Sequence, residues 1–178
     1  MYLNTAANVD RAIGQLLAHA TKTLGREPAV IVLSDHGESL FDEGFLGHGY
    51  ALNDEQTRIP LIVANLPLRI EQPFGQIDLR DAIVAALREP PTLTTPPVLH
   101  DDPEKRVFQY LGALRRPAQI GFVTLGGRTL YDFRERRFRQ AGAAWQRPAE
   151  LSPQAYASFL ELIHTWERMR AGNASRVR

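Results

Sequence analysis

Apolar positions recur with a helical period at the start of the chain. Val9, Ile13, Leu16, Leu17, Ala20 and Leu24 fall on one side of a 3.6-residue repeat. The pattern predicts an amphipathic helix, capped at its start by Asn4 or Thr5 and ended by Gly25. The period then changes. Ala29-Val30-Ile31-Val32-Leu33 is an unbroken apolar run rich in β-branched residues. With a helix before it and no alternation, it predicts a strand covered on both faces, as in a parallel sheet. Ile59-Pro60-Leu61-Ile62-Val63-Ala64 is a second such run, with Pro60 near the start, where a strand tolerates it. Residues 40–58 between the two runs are polar and glycine-bearing and read as a loop.

Further on, Asp78 is placed to cap a helix through Leu79, Ile83, Val84 and Leu87, which Pro90-Pro91 would stop. Residues 89–104 are rich in Pro, Thr and Asp and predict a surface crossing. The pattern then turns to alternation. Val107–Tyr110 reads as a strand. Ile120–Thr124 and Thr129–Phe133 flank Gly126-Gly127, a hairpin signal, and Arg137–Arg139 adds a third strand to it. Ser152 caps a last helix, with Pro153 in its first turn and Tyr156, Phe159, Leu160, Ile163 and Trp166 along one face. These elements divide the chain into an α/β segment over residues 1–100 and an antiparallel hairpin subdomain with a terminal helix over residues 101–178.

Composition changes this picture little. The 178 residues suit a domain with a sizeable core, and no stretch approaches the roughly 20 apolar residues of a membrane-spanning helix. The absence of cysteine excludes disulfides, thiolate metal sites and cysteine nucleophiles. Charge is uneven: residues 1–60 carry 8 acids and 4 bases, residues 61–178 carry 12 acids and 17 bases. The acidic first third is consistent with metal ligands. The later arginines are scattered, as on a solvated surface. The arginine-rich stretch Arg128–Arg139 lacks the regular aromatic interleaving of a nucleic-acid surface, so no nucleic-acid partner is expected.

The candidate chemistry lies between Ser34 and His48. Asp35 and His36 stand just past the C-terminal end of the first predicted strand, where ligands bind in open α/β sheets. Neighbouring strand residues point to opposite faces, so the two can reach one metal only where the chain leaves the strand. Gly37 eases that turn by accepting a positive φ. An anionic oxygen with a neutral nitrogen suits Zn²⁺ or Mn²⁺. His48 sits in Gly47-His48-Gly49, where the glycines permit close approach of the backbone. An isolated Asp-His pair is more often structural: Asp35 can cap a turn, His36 can be a satisfied core histidine, and Glu38 can be a first-turn helix acid. His19, His100 and His164 read as surface or packing residues.

The whole string shifts that balance. Ser34-Asp35-His36-Gly37-Glu38-Ser39, then Gly47-His48-Gly49, then Asp54 to Val63, resembles the C-terminal signature of the sulfatase/alkaline-phosphatase superfamily. Tyr2-Leu3-Asn4 through Asp10 to Gly14 resembles the helix that precedes it there. The clear resemblance covers residues 2–65; residues 66–178 match in outline. It implies part of an alkaline-phosphatase-like α/β sandwich, followed by a small antiparallel sheet and a helix. It also implies a divalent metal (Zn²⁺, Mn²⁺ or Ca²⁺) on Asp35 and His36. His48 would lie at the substrate sulfate or phosphate, or on a second metal, with Glu38 orienting a ligand. The implied substrate is a sulfate or phosphate ester, carried on a lipid or a glycan.

The pattern is most similar to that of membrane-anchored sulfatases and of phosphoethanolamine and phosphoglycerol transferases. Classical arylsulfatases usually carry a lysine after Gly-His-Gly, where this chain has Tyr50. The resemblance therefore implies an inner-membrane-anchored parent with a periplasmic or extracellular domain. Any membrane contact would come through a missing N-terminal region, and this chain by itself is expected to be soluble. In the family the nucleophile and another acidic ligand lie far upstream of the Asp-His pair, and only 34 residues precede Asp35 here. Ser34 and Ser39 do not match the nucleophile position. The expectation is a fragment that is inactive alone. The alternative is an inactive binding or partner-dependent domain of the same fold.

Overall fold

The computed structural model describes residues 2–88 and 98–174. Among these, the chain begins with α1 (Tyr2–Leu24) and β1 (Val30–Leu33). A small ladder of β2 (Ser39–Leu40) and β3 (Leu46–Gly47) follows, then a one-turn helix α2 (Asp54–Thr57). Next come β4 (Leu61–Ala64), β5 (Arg69–Gln72), α3 (Gln76–Ala86) and β6 (Val98–Asp101). The second part is β7 (Val107–Ala113), β8 (Arg116–Thr124), β9 (Gly127–Asp132), β10 (Arg137–Gln140) and α4 (Pro153–Ala174). The fold is α/β, with several small sheets.

α1 already includes Asn4 and Thr5, so neither caps its start. Gly25, at φ +65°, ends it, as glycine enters the left-handed region at little cost. Ile13, Leu17 and Ala20 are half-buried. Val9 and Leu16 stay 53% and 65% exposed, so the apolar face is only partly covered among the described residues.

The two apolar runs do pair, but β1 and β4 are antiparallel, with Val30 opposite Ala64 and Leu33 opposite Leu61. This corrects the expectation of parallel strands covered on both faces. An apolar run reports burial, whereas direction is decided by the connection, and the 34–60 excursion brings the chain back reversed. Ile31, Leu61 and Val63 pack on a cluster of Leu66, Leu68, Ile70 and Ala86, while Ile62 faces outward.

α3 begins at Gln76, with Gly75 rather than Asp78 at its N-cap. Asp78 still caps it from inside, its carboxylate accepting the Gly75 N–H at 2.9 Å. The Pro90-Pro91 stop lies outside the described residues. Part of the expected surface crossing is a strand: β6 pairs in parallel with β5, from Arg69–Val98 to Gln72–Asp101.

The later half follows the alternation closely. β10, β9, β8 and β7 lie side by side in that order, all antiparallel, and the β8–β9 turn brings Thr124 opposite Gly127. α4 packs on this sheet, its Leu162 fully buried against Ile120, Phe122 and Phe138. Ser152 caps α4 by accepting the Ala155 N–H at 3.3 Å. Phe159, Ile163 and Trp166 join the core as their spacing predicts, whereas Tyr156 and Leu160 sit at its edge, 44% and 36% exposed. No helix among the described residues is long and apolar enough to cross a membrane.

Candidate metal centre

The chain leaves β1 at Leu33 and turns at once. The Ser34 hydroxyl donates to the His36 carbonyl, and the Asp35 carboxylate accepts the His36 N–H at 3.1 Å. Gly37 donates its N–H to the Gln56 carbonyl at 2.9 Å. A Cβ at Gly37 would stand 2.0 Å from the Glu55 carbonyl oxygen. Its φ is not positive, so glycine is required here by close approach to α2 and not, as expected, by turn conformation. The Gly37 carbonyl then accepts from Nδ1 of His36 at 2.9 Å. A carbonyl can only accept, so Nδ1 is the donor of this bond and Nε2 is the ring nitrogen left for a ligand.

The β2–β3 ladder returns the chain to the same place. Ser39 lies opposite Gly47, which sets Glu38 beside His48. His48 Nδ1 is 3.3 Å from Glu38 Oε2, and the His36 and His48 ring centroids are 3.8 Å apart. One ligand atom from each of His36, Glu38 and His48 lies within 4.8 Å of the others. Asp35 is outside that trio. Its side chain is 89% exposed, yet its Oδ2 is 3.7 Å from Nε2 of His36. Two donors bound at about 2 Å to one ion are at most about 4 Å apart, so the Asp35–His36 pair is already within coordinating separation. The donor set, two imidazoles and two carboxylates, fits a divalent transition metal. His19, His100 and His164 are exposed and apart from this cluster.

Neither flanking serine is free. Ser34 is bound to His36, and Ser39 is fully buried, its hydroxyl accepting from Gln56 at 3.0 Å and Asn53 at 3.4 Å. Asn53 also caps α2, accepting the Gln56 N–H at 3.1 Å. The Gln56 side chain accepts the N–H groups of Tyr50 and Ala51, just past His48, at 3.1 and 3.4 Å. Tyr50 itself stacks on Phe45, with centroids 6.0 Å apart and planes 7° apart.

The four-stranded sheet also reaches this loop. Gln119 on β8 accepts the Leu52 N–H at 2.8 Å and donates to Asp132 at 2.7 Å. Arg128 on β9 donates to the Leu52 carbonyl at 2.6 Å and to Thr57 Oγ1 at 2.8 Å, and pairs with Asp54. Burial pulls the Arg128 guanidinium below the ordinary arginine range, and the Asp54 carboxylate pulls the other way. Sequence reasoning missed Gln119, Arg128 and Asp132, because nothing in a hairpin's alternation marks which polar residue meets a distant loop. Arg137 and Arg139 lie over the Trp145 ring, at 4.8 and 4.7 Å from its centroid.

Among comparisons with known proteins, the family model described as Sulfatase matches residues 1–84, the segment that carries Asp35, His36, Glu38 and His48. No curated protein and no solved structure matches the chain significantly.

Proposed function

We propose, from the match of residues 1–84 to the Sulfatase family model, that the chain contributes one share of a metal-dependent ester hydrolase or transferase site. The observation that carries this reading is the convergence of His36, Glu38 and His48 within 4.8 Å beside the Asp35–His36 pair. Asp35 and His36 would hold a divalent cation, Asp35 through its carboxylate and His36 through Nε2. When bound, such an ion neutralises charge on a transferring sulfate or phosphate group and makes a hydroxyl nucleophile more acidic.

Glu38 orients His48 by accepting from Nδ1, which leaves Nε2 available to a substrate oxygen or a second ion. In its protonated form, Nε2–H would donate to the ester oxygen as charge develops there. In this reading the nucleophile and a further acidic ligand would come from outside this chain, and the commitment of Ser34 and Ser39 to structural hydrogen bonds supports it. The partly covered α1 face and the outward Ile62 are consistent with more protein packing there.

Within this reading, phosphoryl transfer of the phosphoethanolamine or phosphoglycerol type is favoured over classical aryl-sulfate hydrolysis. Tyr50, stacked on Phe45, stands where classical arylsulfatases usually carry a lysine. The resemblance of the Ser34–His48 pattern also supports a membrane-anchored parent working outside the cytoplasm on a lipid- or glycan-borne ester.

Titration with Zn²⁺ and Mn²⁺ tests the proposal. One site per chain is expected, weakened about tenfold or more by Asp35→Ala or His36→Ala. The purified chain should not turn over an aryl sulfate or a phosphodiester. Metal affinity indifferent to both substitutions would favour a binding module, and turnover by the chain alone would refute the shared site.

A further inference from the structure

The candidate metal centre does not hold itself in place. Its two histidines sit on separate arms of the loop, and both arms lean on residues 52–57. Gln56 is the contact point for each. Its backbone carbonyl accepts the Gly37 N–H at 2.9 Å, next to His36. Its side-chain oxygen accepts the N–H groups of Tyr50 and Ala51, two and three residues after His48. A shift of residues 52–57 therefore reaches both imidazoles.

We infer that Arg128, on the second strand of the β8–β9 hairpin, is a positioning residue for His36 and His48. The inference rests on the metal-centre reading above. Its guanidinium, with only 13% of the side chain exposed, reaches three groups of that segment: the Leu52 carbonyl, Thr57 Oγ1 and the Asp54 carboxylate. A fourth partner, Gln109 Oε1 at 3.3 Å, ties it back to its own sheet. A buried cation is costly unless acceptors surround it, so this constellation stands only with the segment in register. The planar fork also matters. A lysine ammonium is a single point on a flexible stem and cannot span the same set of acceptors. Gln119 forms a second clamp on the same segment through the Leu52 N–H. The antiparallel sheet is thereby a platform that sets the distance between two metal-ligand candidates more than 70 residues earlier in the chain.

The test uses the whole chain with Arg128→Lys and, as a milder variant, Asp54→Asn, whose carboxylate is 64% exposed and outside both apolar clusters. Imidazole signals of the metal-free protein are followed by NMR, and Co²⁺ affinity is followed by visible absorption. In Arg128→Lys the His36 and His48 signals should move, those of His19, His100 and His164 should stay, and Co²⁺ affinity should fall about tenfold. Asp54→Asn should act in the same direction and less. A residue that merely staples the fold would lower the melting temperature with the His36 and His48 signals and the Co²⁺ affinity unchanged, and that result overturns the inference. If Arg128→Lys does not fold, the same readouts on Asp54→Asn decide. If Co²⁺ perturbs neither histidine of the unmodified chain, the metal reading fails by itself. The metal-free signals then decide alone: moved in the variants they support positioning, unmoved they refute it.

Discussion

Gly37 shows how a single residue can be fixed by space. The Glu55 carbonyl lies where its Cβ would be, and its own N–H and carbonyl serve Gln56 and His36. Gly37→Ala should push the strand end away from α2. Urea unfolding should show a loss of about 1–3 kcal/mol, the range for overpacking a filled site. Metal affinity should fall with it, because His36 loses the carbonyl that fixes its tautomer. Unchanged stability would mean that α2 yields freely. The sequence marked Gly37 as a position where glycine matters, but the positive φ expected of it is not adopted. The true reason was not legible, since the obstructing carbonyl belongs to a residue 18 positions later.

At the scale of elements, the two long helices are opposites. α4 is seated: Leu162 is fully buried, and Trp166 donates its indole N–H to the Leu114 carbonyl at 2.7 Å. α1 carries the cleaner amphipathic pattern, yet Leu16 is 65% exposed. Equal truncations should separate them. Leu162→Ala is expected to cost about 2–5 kcal/mol through a cavity, whereas Leu16→Ala should stay within about 0.5 kcal/mol. Thermal or urea unfolding of the pair checks this, and a large loss at Leu16 would mean that α1 is buried in solution. Helical period alone cannot rank the two, because it reports which side could be covered and not what covers it. The β5–β6 pair was illegible for a related reason. Short strands paired across α3 have no local turn signal, and their partner is known only once the chain has folded.

At the scale of the whole molecule, the described residues form two apolar clusters, one around Leu68 and one around Ile120. Much of what ties them is polar, through Gln119 to Leu52 and through Arg128 to Leu52, Asp54 and Thr57. Gln119→Leu leaves the Leu52 N–H and Asp132 without that partner. It should cost about 1–3 kcal/mol, as for a buried group left unsatisfied. Calorimetry should then resolve two transitions, where a single one is expected of the unmodified chain. A single, undisplaced transition would show that the two clusters are coupled by other contacts.

The sequence by itself determined the local elements and the chemistry on offer. Alternation and paired glycines defined the antiparallel sheet, a helical period defined α1 and α4, and an Asp-His-Gly run followed by Gly-His-Gly marked the candidate ligands, within the segment that the Sulfatase family model matches. These signals are read within a few residues, where side-chain period and backbone preference act. Only the tertiary structure decided that β1 and β4 run antiparallel, that β5 meets β6, and that His36, Glu38 and His48 converge. It alone brought Arg128 and Gln119 under the loop. Each of these depends on where distant chain ends up, and a polar residue carries no mark of the remote carbonyl or amide that will satisfy it.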